Sequence, residues 1–314
     1  MIGTSFLYCL LNTALIILVS PLFMGIIRKV KARAQGRRGP PICIMYYNLA
    51  KLFRKEVVYS SASSWVIRIT PVVCMGVIIL ACFCIPVVAI PESFFGIGNI
   101  ILFLYLLALY RVMIALSGLD AGSSFGGMGS SREMSLSPVI EPTIIVVAAA
   151  LTSVLGTLNI YEMITVTSQA GMGAIPTLIL IAVSLFLILI IETSRIPVDN
   201  PETHLELTMI HEAMLLEFSG RNLALMELSH ATKQAILIGF LIGIIAPFGI
   251  ISEGSTPAIL ALGALLFVIK GSFISLIIGV FESCLAKMRF FSIPTFFMLA
   301  FFFSALTLII EVFS

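Results

Sequence analysis

Long apolar runs separated by short polar segments are the feature of this 314-residue sequence that most restricts its fold. Several runs approach or exceed the ~20 residues that cross a bilayer as an α-helix. The mean hydropathy is +1.15 and only 11% of the residues are charged, which excludes an ordinary soluble domain. The sequence therefore predicts one all-α, polytopic membrane domain over residues 1–314, with about eight transmembrane helices. The predicted spans are Leu7–Ile27, Ile69–Ala89, Ile100–Leu116, Pro138–Leu158, Pro176–Ile191, Ala235–Ile251, Pro257–Val280 and Pro294–Val312.

The basic residues are divided unequally between the two sets of connecting loops. Three loops contain neither Lys nor Arg, namely Pro91–Gly98, Asn159–Ala174 and Ser252–Thr256. All eighteen basic residues lie in the other loops or in the spans that lead into them. Because loops rich in Lys and Arg stay in the cytoplasm, both termini are predicted to lie outside. The predicted cytoplasmic segments are then 28–68, 117–137, 192–234 and 281–293.

The first cytoplasmic segment begins with a dense basic run, RKVKARAQGRRGPP, at Arg28–Pro41. The simplest interpretation is control of membrane topology beside anionic headgroups. The glycine and prolines that end the run also favour a shaped loop, and the YYNLAKLFRKE that follows is amphipathic. It predicts a short helix on the membrane surface with an apolar face of Tyr46, Leu49, Leu52 and Phe53. This segment is a candidate docking surface for soluble partners.

The second cytoplasmic segment, GLDAGSSFGGMGSSRE at Gly118–Glu133, is rich in glycine and serine. Glycine permits close approach of the backbone, so a phosphate-binding loop is one interpretation. The segment lacks the GxxxxGK(S/T) pattern and follows no predicted strand, which disfavours nucleotide binding. We therefore expect a compact loop that packs against a partner or lines a cavity.

The segment Glu192–Lys233 concentrates the ionisable chemistry of the chain, with seven of the sixteen acidic residues and all three histidines. A solvated loop between two spans is one interpretation. The acids are interleaved with apolar residues, however, and Pro201 suits the first turn of a new helix, which favours a partly buried helix. On one continuous helix Glu202, Glu206 and Glu217 would line one face as a row of carboxylates.

Four ionisable residues fall within or at the ends of predicted spans. Arg111 and Lys270 lie inside spans three and seven, Glu141 lies one turn into span four, and Glu192 ends span five. Long basic side chains can extend to the headgroup region, which is the simpler interpretation for the two cations. Short acidic side chains cannot reach so far, so several carboxylates near one membrane face favour a proton relay.

The six cysteines lie mostly in apolar runs, and no CxxC pattern occurs. Cys82 and Cys84 form a CxC inside a predicted span, where cysteines usually act as small buried apolar residues. No histidine falls in a predicted span, which disfavours a haem held between helices. The sequence therefore predicts no metal site and no cofactor bound by this chain.

Four cytoplasmic segments, taken in order, resemble one protein family. They are QGRRGPP with LAKLFRKE, then GLDAGSSFGGMGSSRE, then ETSRIPVDNPETHLEL with EFSGRNLAL, and finally ESCLAKMRFF before the last span. The family unites a membrane subunit of respiratory complex I with the corresponding subunit of energy-converting NiFe hydrogenases and formate hydrogenlyase. The GLDAGSSFGG motif resembles the hydrogenase branch. The longer link between Glu206 and Glu217, which carries His211 and Glu212, departs from the quinone-cavity pattern of complex I.

The resemblance implies roles for particular residues, because in the family the matching acids line a cavity between a soluble redox arm and the membrane. With the charges found near the spans, the candidate proton-relay residues are Glu141, Glu192, Asp199, Glu202, Glu206, Glu212, Glu217 and Lys270. The candidate partner-docking or cavity residues are Arg37, Arg38, Asp120, Arg132, Arg195 and Arg221.

The resemblance implies a non-catalytic subunit of an oxidoreductase complex in the cytoplasmic (inner) membrane of a prokaryote. Its expected partners are a small iron–sulfur subunit and a large catalytic subunit on the cytoplasmic side, together with antiporter-like membrane subunits and the lipid bilayer. Those partners, and not this chain, would carry the iron–sulfur clusters and a NiFe site. Redox chemistry in the arm would then drive proton or sodium translocation. Two alternatives are a quinone-site subunit of a complex I-like oxidoreductase and a free-standing secondary ion transporter. No nucleic-acid partner is implied.

Overall fold

The computed structural model describes residues 2–60, 63–91, 97–170, 177–199, 209–252 and 256–313. Within these ranges the chain is almost entirely helical, with one short pair of strands. The helices are α1 (Ile2–Ala34), α2 (Ile44–Phe53), α3 (Trp65–Phe83), α4 (Ile100–Asp120), α5 (Ser124–Leu155), α6 (Ile160–Ala170), α7 (Thr177–Glu192), α8 (His211–Leu215), α9 (Gly220–Ile245), α10 (Pro257–Cys284) and α11 (Ile293–Phe313). Strand β1 (Ala89–Ile90) pairs in parallel with β2 (Ile251–Ser252).

Seven helices of the described ranges are long and apolar enough to cross a membrane: α1, α3, α4, α5, α9, α10 and α11. Helix α7 is equally apolar but has 16 residues, and it begins at the edge of a described range. Each predicted span overlaps one of these eight helices, because an apolar run of about 20 residues marks a helix that can cross the bilayer. The prediction of an all-helical, multi-pass membrane protein is therefore confirmed.

Helix α9 lies at the centre of the bundle. Its most apolar stretch is 83% buried, whereas no other candidate span exceeds 56%. It packs against α1, α3, α7 and α10, and every residue from Ala231 to Ile244 is buried. Because Lys233 and Gln234 fall in this buried stretch, polar side chains are carried into the middle of the protein.

The loops that lack Lys and Arg meet at one end of the bundle. The β1–β2 pair joins the loop after α3 to the loop after α9, and Asn99 forms an isolated bridge with Asn159. Asn12 of α1 binds the chain at the same end of the bundle, because its side-chain amide donates a hydrogen bond to the Ala89 carbonyl of β1 at 2.8 Å. The described parts of these three loops thus share one side, as the charge distribution predicted.

The glycine-rich segment Gly118–Glu133 is helical except at Ala121–Ser123, and the expectation of a compact loop was wrong. Helix α4 runs to Asp120 and α5 begins at Ser124, where the Ser123 hydroxyl caps the helix by accepting the Gly126 N–H at 3.1 Å. The glycines serve close helix packing instead. A Cβ added to Gly129 would lie 2.8 Å from the Ile210 carbonyl oxygen, so glycine lets the chain before α8 lie directly on α5.

Two glycines of α5 provide a matched test of this packing. We expect Gly129→Ala to cost about 1 to 2 kcal/mol of stability, because the added methyl group meets the backbone at Ile210. Gly127→Ala is the control, since a Cβ there meets nothing within 4 Å and alanine favours a helix by about 1 kcal/mol over glycine. Thermal unfolding of the two variants in detergent measures the difference, and equal midpoints would contradict the close contact.

The acidic segment also differs from the prediction. Met209 and Ile210 are not helical, α8 ends at Leu215, and Glu217 lies in the turn that follows. One continuous helix from Glu202 to Glu217 is therefore wrong, because the chain bends before and after α8. Pro201, His204 and the predicted row members Glu202 and Glu206 lie outside the described residues.

Helix α9 begins at Gly220 and not at Ala235, where the apolar run starts. Gly220 has a φ of 51°, and a Cβ there would overlap the carbonyl oxygen of Glu56. Only glycine fits this close approach, which fixes where the chain turns into α9. Among the polar residues of this helix, Ser229, Thr232, Lys233 and Gln234 are buried.

A short helix follows the basic run, as predicted, and it is α2. Met45 and Leu49 are its buried residues, and the Tyr46 hydroxyl donates to the Leu18 carbonyl at 2.5 Å. Phe53, the last residue of α2, is 41% exposed. The apolar face is therefore centred on Met45 and Leu49 and does not extend to Phe53, because the helix ends there.

Candidate functional site

Glu192, the last residue of α7, is buried between two cations. Its carboxylate accepts a hydrogen bond from the Arg111 guanidinium of α4 and pairs with the Lys233 ammonium of α9 at 2.6 Å. Each of the three residues is at most 6% exposed. Helix α7 stops here because Ser194 adopts a left-handed backbone, with a φ of 48°.

Two further carboxylates surround Arg111. Glu133 of α5 lies 3.5 Å from Arg111 Nε, and Glu141 of the same helix lies 3.5 Å from Arg111 Nη1. In the described part of the chain, this cluster thus combines three carboxylates with the cations Arg111 and Lys233. We call these five residues the Glu192 cluster. The Glu192 cluster has one more carboxylate than it has cations. One carboxylate can therefore bind a proton without leaving a cation unpaired, as a proton relay requires.

A small chamber lies inside the Glu192 cluster. Its volume is about 10 Å³, close to the minimum that holds one water molecule. The chamber is lined by Tyr110, Arg111, Ile114, Glu133, Glu192, Ser194, His211, Met214 and Lys233. It therefore brings α4, α5, α7, α8 and α9 together around ionisable side chains.

A larger groove of about 430 Å³ runs between α4 and α5. Its walls are mainly apolar, and its polar end is formed by Arg111, Glu141 and Glu192. The Glu141 side chain is 48% exposed and accepts a hydrogen bond from the Ser137 hydroxyl at 2.7 Å. Glu141 is thus the member of the Glu192 cluster that is accessible from the side of the bundle.

Arg195 forms a second buried cluster with Glu282 of α10. The guanidinium lies 3.2 Å from Glu282 and donates to the Gln234 side-chain oxygen at 2.7 Å. Lys31 of α1 lies 3.7 Å from the other oxygen of Glu282. Arg195 and Glu282 are 3% and 2% exposed. Predicted as a docking or cavity residue, Arg195 lies in the protein core.

Asp199 holds the start of α8 in place. One carboxylate oxygen accepts the backbone N–H groups of Ile210 and His211 at 3.0 and 3.2 Å. The other oxygen pairs with Lys287, after α10, at 2.6 Å. This predicted relay acid therefore ties the segment after α7 to the segments before α8 and after α10.

The rings of His211 and His230 lie against each other, with centroids 4.5 Å apart and planes tilted by 33°. His211 lines the chamber. Burial, and next the charge of Lys233, lower the pKa of His211 to about 4, although Asp199 opposes the shift. Burial, and next the nearby charge of Glu227, raise the pKa of Glu212 to about 7. Contrary to the prediction that no histidine lies in a span, His230 lies in α9, because α9 begins earlier than the apolar run.

Lys270 lies apart from the acids. Its ammonium donates to the carbonyl groups of Ala246, at 2.8 Å, and Phe248. The Lys270 nitrogen also lies 3.8 Å from the centre of the Phe248 ring. These contacts place it at the C-terminal end of α9, where a cation suits the free carbonyl groups. The geometry does not bring it together with the Glu192 cluster.

Two predicted cavity residues make contacts within the fold. Asp120 accepts the backbone N–H groups of Ser64 and Ile67 and so caps the N-terminus of α3. Arg132 donates to the Met209 carbonyl at 2.7 Å, which fastens α5 to the chain before α8.

The remaining predicted residues are solvent-accessible. Arg37 and Arg38 follow α1 and are exposed, as is Arg221 in the first turn of α9. Glu217 is partly exposed in the turn before α9. Together these residues form an accessible surface of mixed charge at the end of the bundle opposite the β1–β2 pair.

The sequence prediction missed Lys233, Glu282, Lys31 and Glu133 as members of the buried clusters. Lys233 stands two residues before one predicted span and Glu282 two residues after another. A charged residue this close to a span boundary remains on the same helix, and that signal could have found both.

Comparisons with known proteins agree with this architecture. Residues 7–313 match the model of a family described as NADH dehydrogenase. The chain is 33% identical to hydrogenase-4 component C of Escherichia coli (strain K12) over 288 residues, which cover 92% of this chain and 90% of that protein. It is 32% identical to formate hydrogenlyase subunit 4 of the same organism over 285 residues, 91% and 92% of the two chains.

A solved structure has the same fold. It is described as the membrane-bound sulfane sulfur reductase, an archaeal respiratory membrane complex. One of its chains superposes with a TM-score of 0.81 over 98% of this chain and 99% of its own length, at 22% identity. At that identity the likeness establishes the fold alone.

Proposed function

The chain belongs to the NADH dehydrogenase family, and we propose that it is a non-catalytic membrane subunit of a complex I-like energy-converting hydrogenase or related respiratory complex. In this proposal it docks a soluble redox arm and couples the arm's chemistry to proton or sodium translocation. Helix α7 is its eighth span, and both termini lie outside the cytoplasmic membrane.

The single observation that carries the proposal is the Glu192 cluster, in which three carboxylates surround two buried cations. Buried ion pairs add little net stability, so their presence at the centre of a membrane protein favours a functional role. A change of charge in a docked arm would alter the proton affinity of these carboxylates, because the low local dielectric makes their interactions strong.

The geometry supports a path for protons through the Glu192 cluster. Glu133 lines the chamber, Glu141 lines the groove between α4 and α5, and Glu192 lines both. Arg111 contacts all three carboxylates and can stabilise whichever of them is ionised. A proton released from the chamber would therefore reach Glu141, where neighbouring antiporter-like membrane subunits would accept it.

Exposed basic residues support docking of the soluble arm at the cytoplasmic end. Arg37, Arg38 and Arg221 are exposed there, and so are Arg33 and Arg54. Such a surface favours partners with an acidic face and makes assembly sensitive to salt. The partners proposed are a small iron–sulfur subunit and a large catalytic subunit, which would carry the iron–sulfur clusters and the NiFe site.

Replacing Glu192 with glutamine in the intact complex tests the proposal. Hydrogen evolution from a reduced electron donor should stay within about twofold of the native rate, because the arm keeps its redox centres. Proton uptake into vesicles, measured in sodium-free buffer, should fall about tenfold or more, since one essential carboxylate can no longer bind a proton. Full native proton uptake in this variant would contradict the proposal.

Glu162→Gln is the matched control for Glu192→Gln. Glu162 is exposed in α6, on the opposite end of the bundle, and loses the same charge when replaced. Its proton uptake should equal that of the native complex. Both measurements are then repeated with sodium and a protonophore, which abolishes proton accumulation in the vesicles. Uptake that persists indicates sodium translocation, and uptake that is lost indicates proton translocation.

The groove between α4 and α5 favours a second candidate, a subunit that binds a lipid quinone. Its mainly apolar walls and its polar end at Arg111 and Glu192 suit a ring with a long apolar tail. A quinone analogue that inhibits the intact complex and protects Glu141 from carboxyl labelling would favour this candidate. No protection at saturating analogue would exclude it.

A further inference from the structure

His211 brings a buried polar atom to the chamber of the Glu192 cluster. Its Nε2 atom has no hydrogen-bond partner among the residues that the structure describes. Its side chain lines the chamber together with Glu133, Glu192 and Lys233. A buried nitrogen without a partner costs about 1 to 3 kcal/mol, so it calls for an explanation. The chamber is the space beside His211 in which a partner for this nitrogen fits.

The His211 ring is held in place from two directions. The backbone N–H of His211 donates to Asp199 at 3.2 Å, which fixes the first turn of α8. The ring of His230 lies against the His211 ring, with centroids 4.5 Å apart. Because burial, and next the charge of Lys233, lower the pKa of His211 to about 4, the ring is neutral at pH 7. His211 therefore meets the chamber as a fixed, neutral group with one donor and one acceptor nitrogen.

The other polar groups of the chamber complement a water molecule. Glu133 lies 3.5 Å from Arg111 Nε, beyond ordinary hydrogen-bond length, so its carboxylate can accept a further hydrogen bond. Lys233 has three N–H donors, of which Glu192 takes one at 2.6 Å. A water molecule in the chamber can accept from Lys233 and donate to Glu133 and to the His211 ring. It would then have about three partners, as buried water molecules usually have.

The size and the charge of the chamber favour water over other ligands. Its volume is about 10 Å³, close to the minimum for one water molecule, so an organic ligand or a hydrated ion does not fit. A bare metal ion would meet two fixed cations, because Arg111 and Lys233 both line the chamber.

We propose that the chamber binds one water molecule between His211, Glu133 and Lys233. His211 is a positioning residue, which fixes the water so that a proton can pass through it from Glu133 to Glu192. This transport role rests on the proposed function, because it names the connection between two acids of the same relay. The His211 ring stays neutral throughout and carries no proton itself.

The transfer through the water conserves protons. The O–H bond of protonated Glu133 breaks, and its proton binds the water oxygen. Another O–H bond of the water breaks, and that proton binds the carboxylate of Glu192. The water is regenerated, Glu133 has become a carboxylate and Glu192 a carboxylic acid. Because Glu192 lines both cavities, the proton has passed from the chamber to the groove.

Electron cryo-microscopy of the intact complex, at a resolution that shows buried water molecules, tests the water site. The native chamber should contain one density about 2.7 to 3.2 Å from His211 Nε2 and from a Glu133 oxygen. His211→Gln should keep this density, because the amide supplies both a donor and an acceptor. His211→Leu, with a side chain of similar size and no polar atom, should lose it. A native chamber without density, or the same density in His211→Leu, would overturn the proposal.

Proton uptake into vesicles tests the positioning role with the same two variants. Uptake by His211→Gln should stay within about twofold of the native rate, because glutamine holds the water without binding a proton. His211→Leu should lower uptake about fivefold or more, while hydrogen evolution by the arm is maintained. Loss of uptake in His211→Gln with its water density intact would show that the ring itself carries the proton. That result, or equal uptake by the two variants, would overturn the positioning role.

Comparison with Glu192→Gln keeps this inference distinguishable from the proposed function. If Glu192→Gln stops proton uptake and the native chamber shows no water density, the water site is wrong and the proposed function stands. If Glu192→Gln translocates protons at the native rate, the proposed function is wrong, and the transport role of the water is wrong with it.

Discussion

Replacing Arg195 with methionine is expected to destabilise the protein by about 3–5 kcal/mol, because a buried carboxylate loses its partner. Arg195 lies 3.2 Å from Glu282, and both are almost fully buried. Lys31 is 3.7 Å from Glu282, too far to replace the hydrogen bond that Arg195 donates. Methionine keeps most of the side-chain volume, so the lost charge dominates the effect. The loss of stability is measured by thermal unfolding of the purified complex in detergent, with the exposure of buried cysteines as the signal.

Two further variants isolate the cause of this effect. Arg289→Met removes the same charge from an exposed position before α11 and should change stability by less than about 0.5 kcal/mol. Adding Glu282→Gln to Arg195→Met removes the unpaired buried charge and should recover part of the lost stability. Equal unfolding midpoints for Arg195→Met and Arg289→Met would show that the Arg195–Glu282 pair does not stabilise the fold.

The transmembrane architecture could be predicted from the sequence because lipid imposes a simple rule on side chains. Every predicted span overlaps a helix, and the loops without basic residues meet at one end. The helix ends could not be predicted in the same way. Helices α5 and α9 begin at Ser124 and Gly220, within polar sequence, where the Ser123 cap and the close approach of Gly220 to Glu56 fix their starts. Hydropathy finds the apolar middle of a helix, whether lipid or protein covers it, and does not mark polar helix ends.

The candidate site was predictable as a set of residues but not as a set of pairs. Arg111 and Glu192 each stood out as charges at membrane depth, yet nothing in the sequence places α4 beside α7. Lys233 joins them because α9 lies at the centre of the bundle and begins before its apolar run, so that Lys233 is part of the buried helix. The predicted row of Glu202, Glu206 and Glu217 required a straight helix, and the bend at Met209–Ile210 removes that premise.

Glu212→Gln is expected to make the protein more stable at pH 8, by at most about 3 kcal/mol, and to leave its stability unchanged near pH 4. Burial and the charge of Glu227 raise the pKa of Glu212 from 4.5 to about 7 in the folded protein. Between these two values the folded state binds more protons than the unfolded state. Native stability therefore falls as the pH rises through this window, and the full penalty is present above pH 7.

Unfolding midpoints at pH 4, 5, 6, 7 and 8 measure this difference, with Glu162→Gln as the control for loss of one negative charge from an exposed site. The midpoint of Glu212→Gln should separate progressively from the native midpoint as the pH rises, whereas Glu162→Gln should follow the native curve. Parallel curves for the native protein and Glu212→Gln would show that folding does not raise the pKa of Glu212.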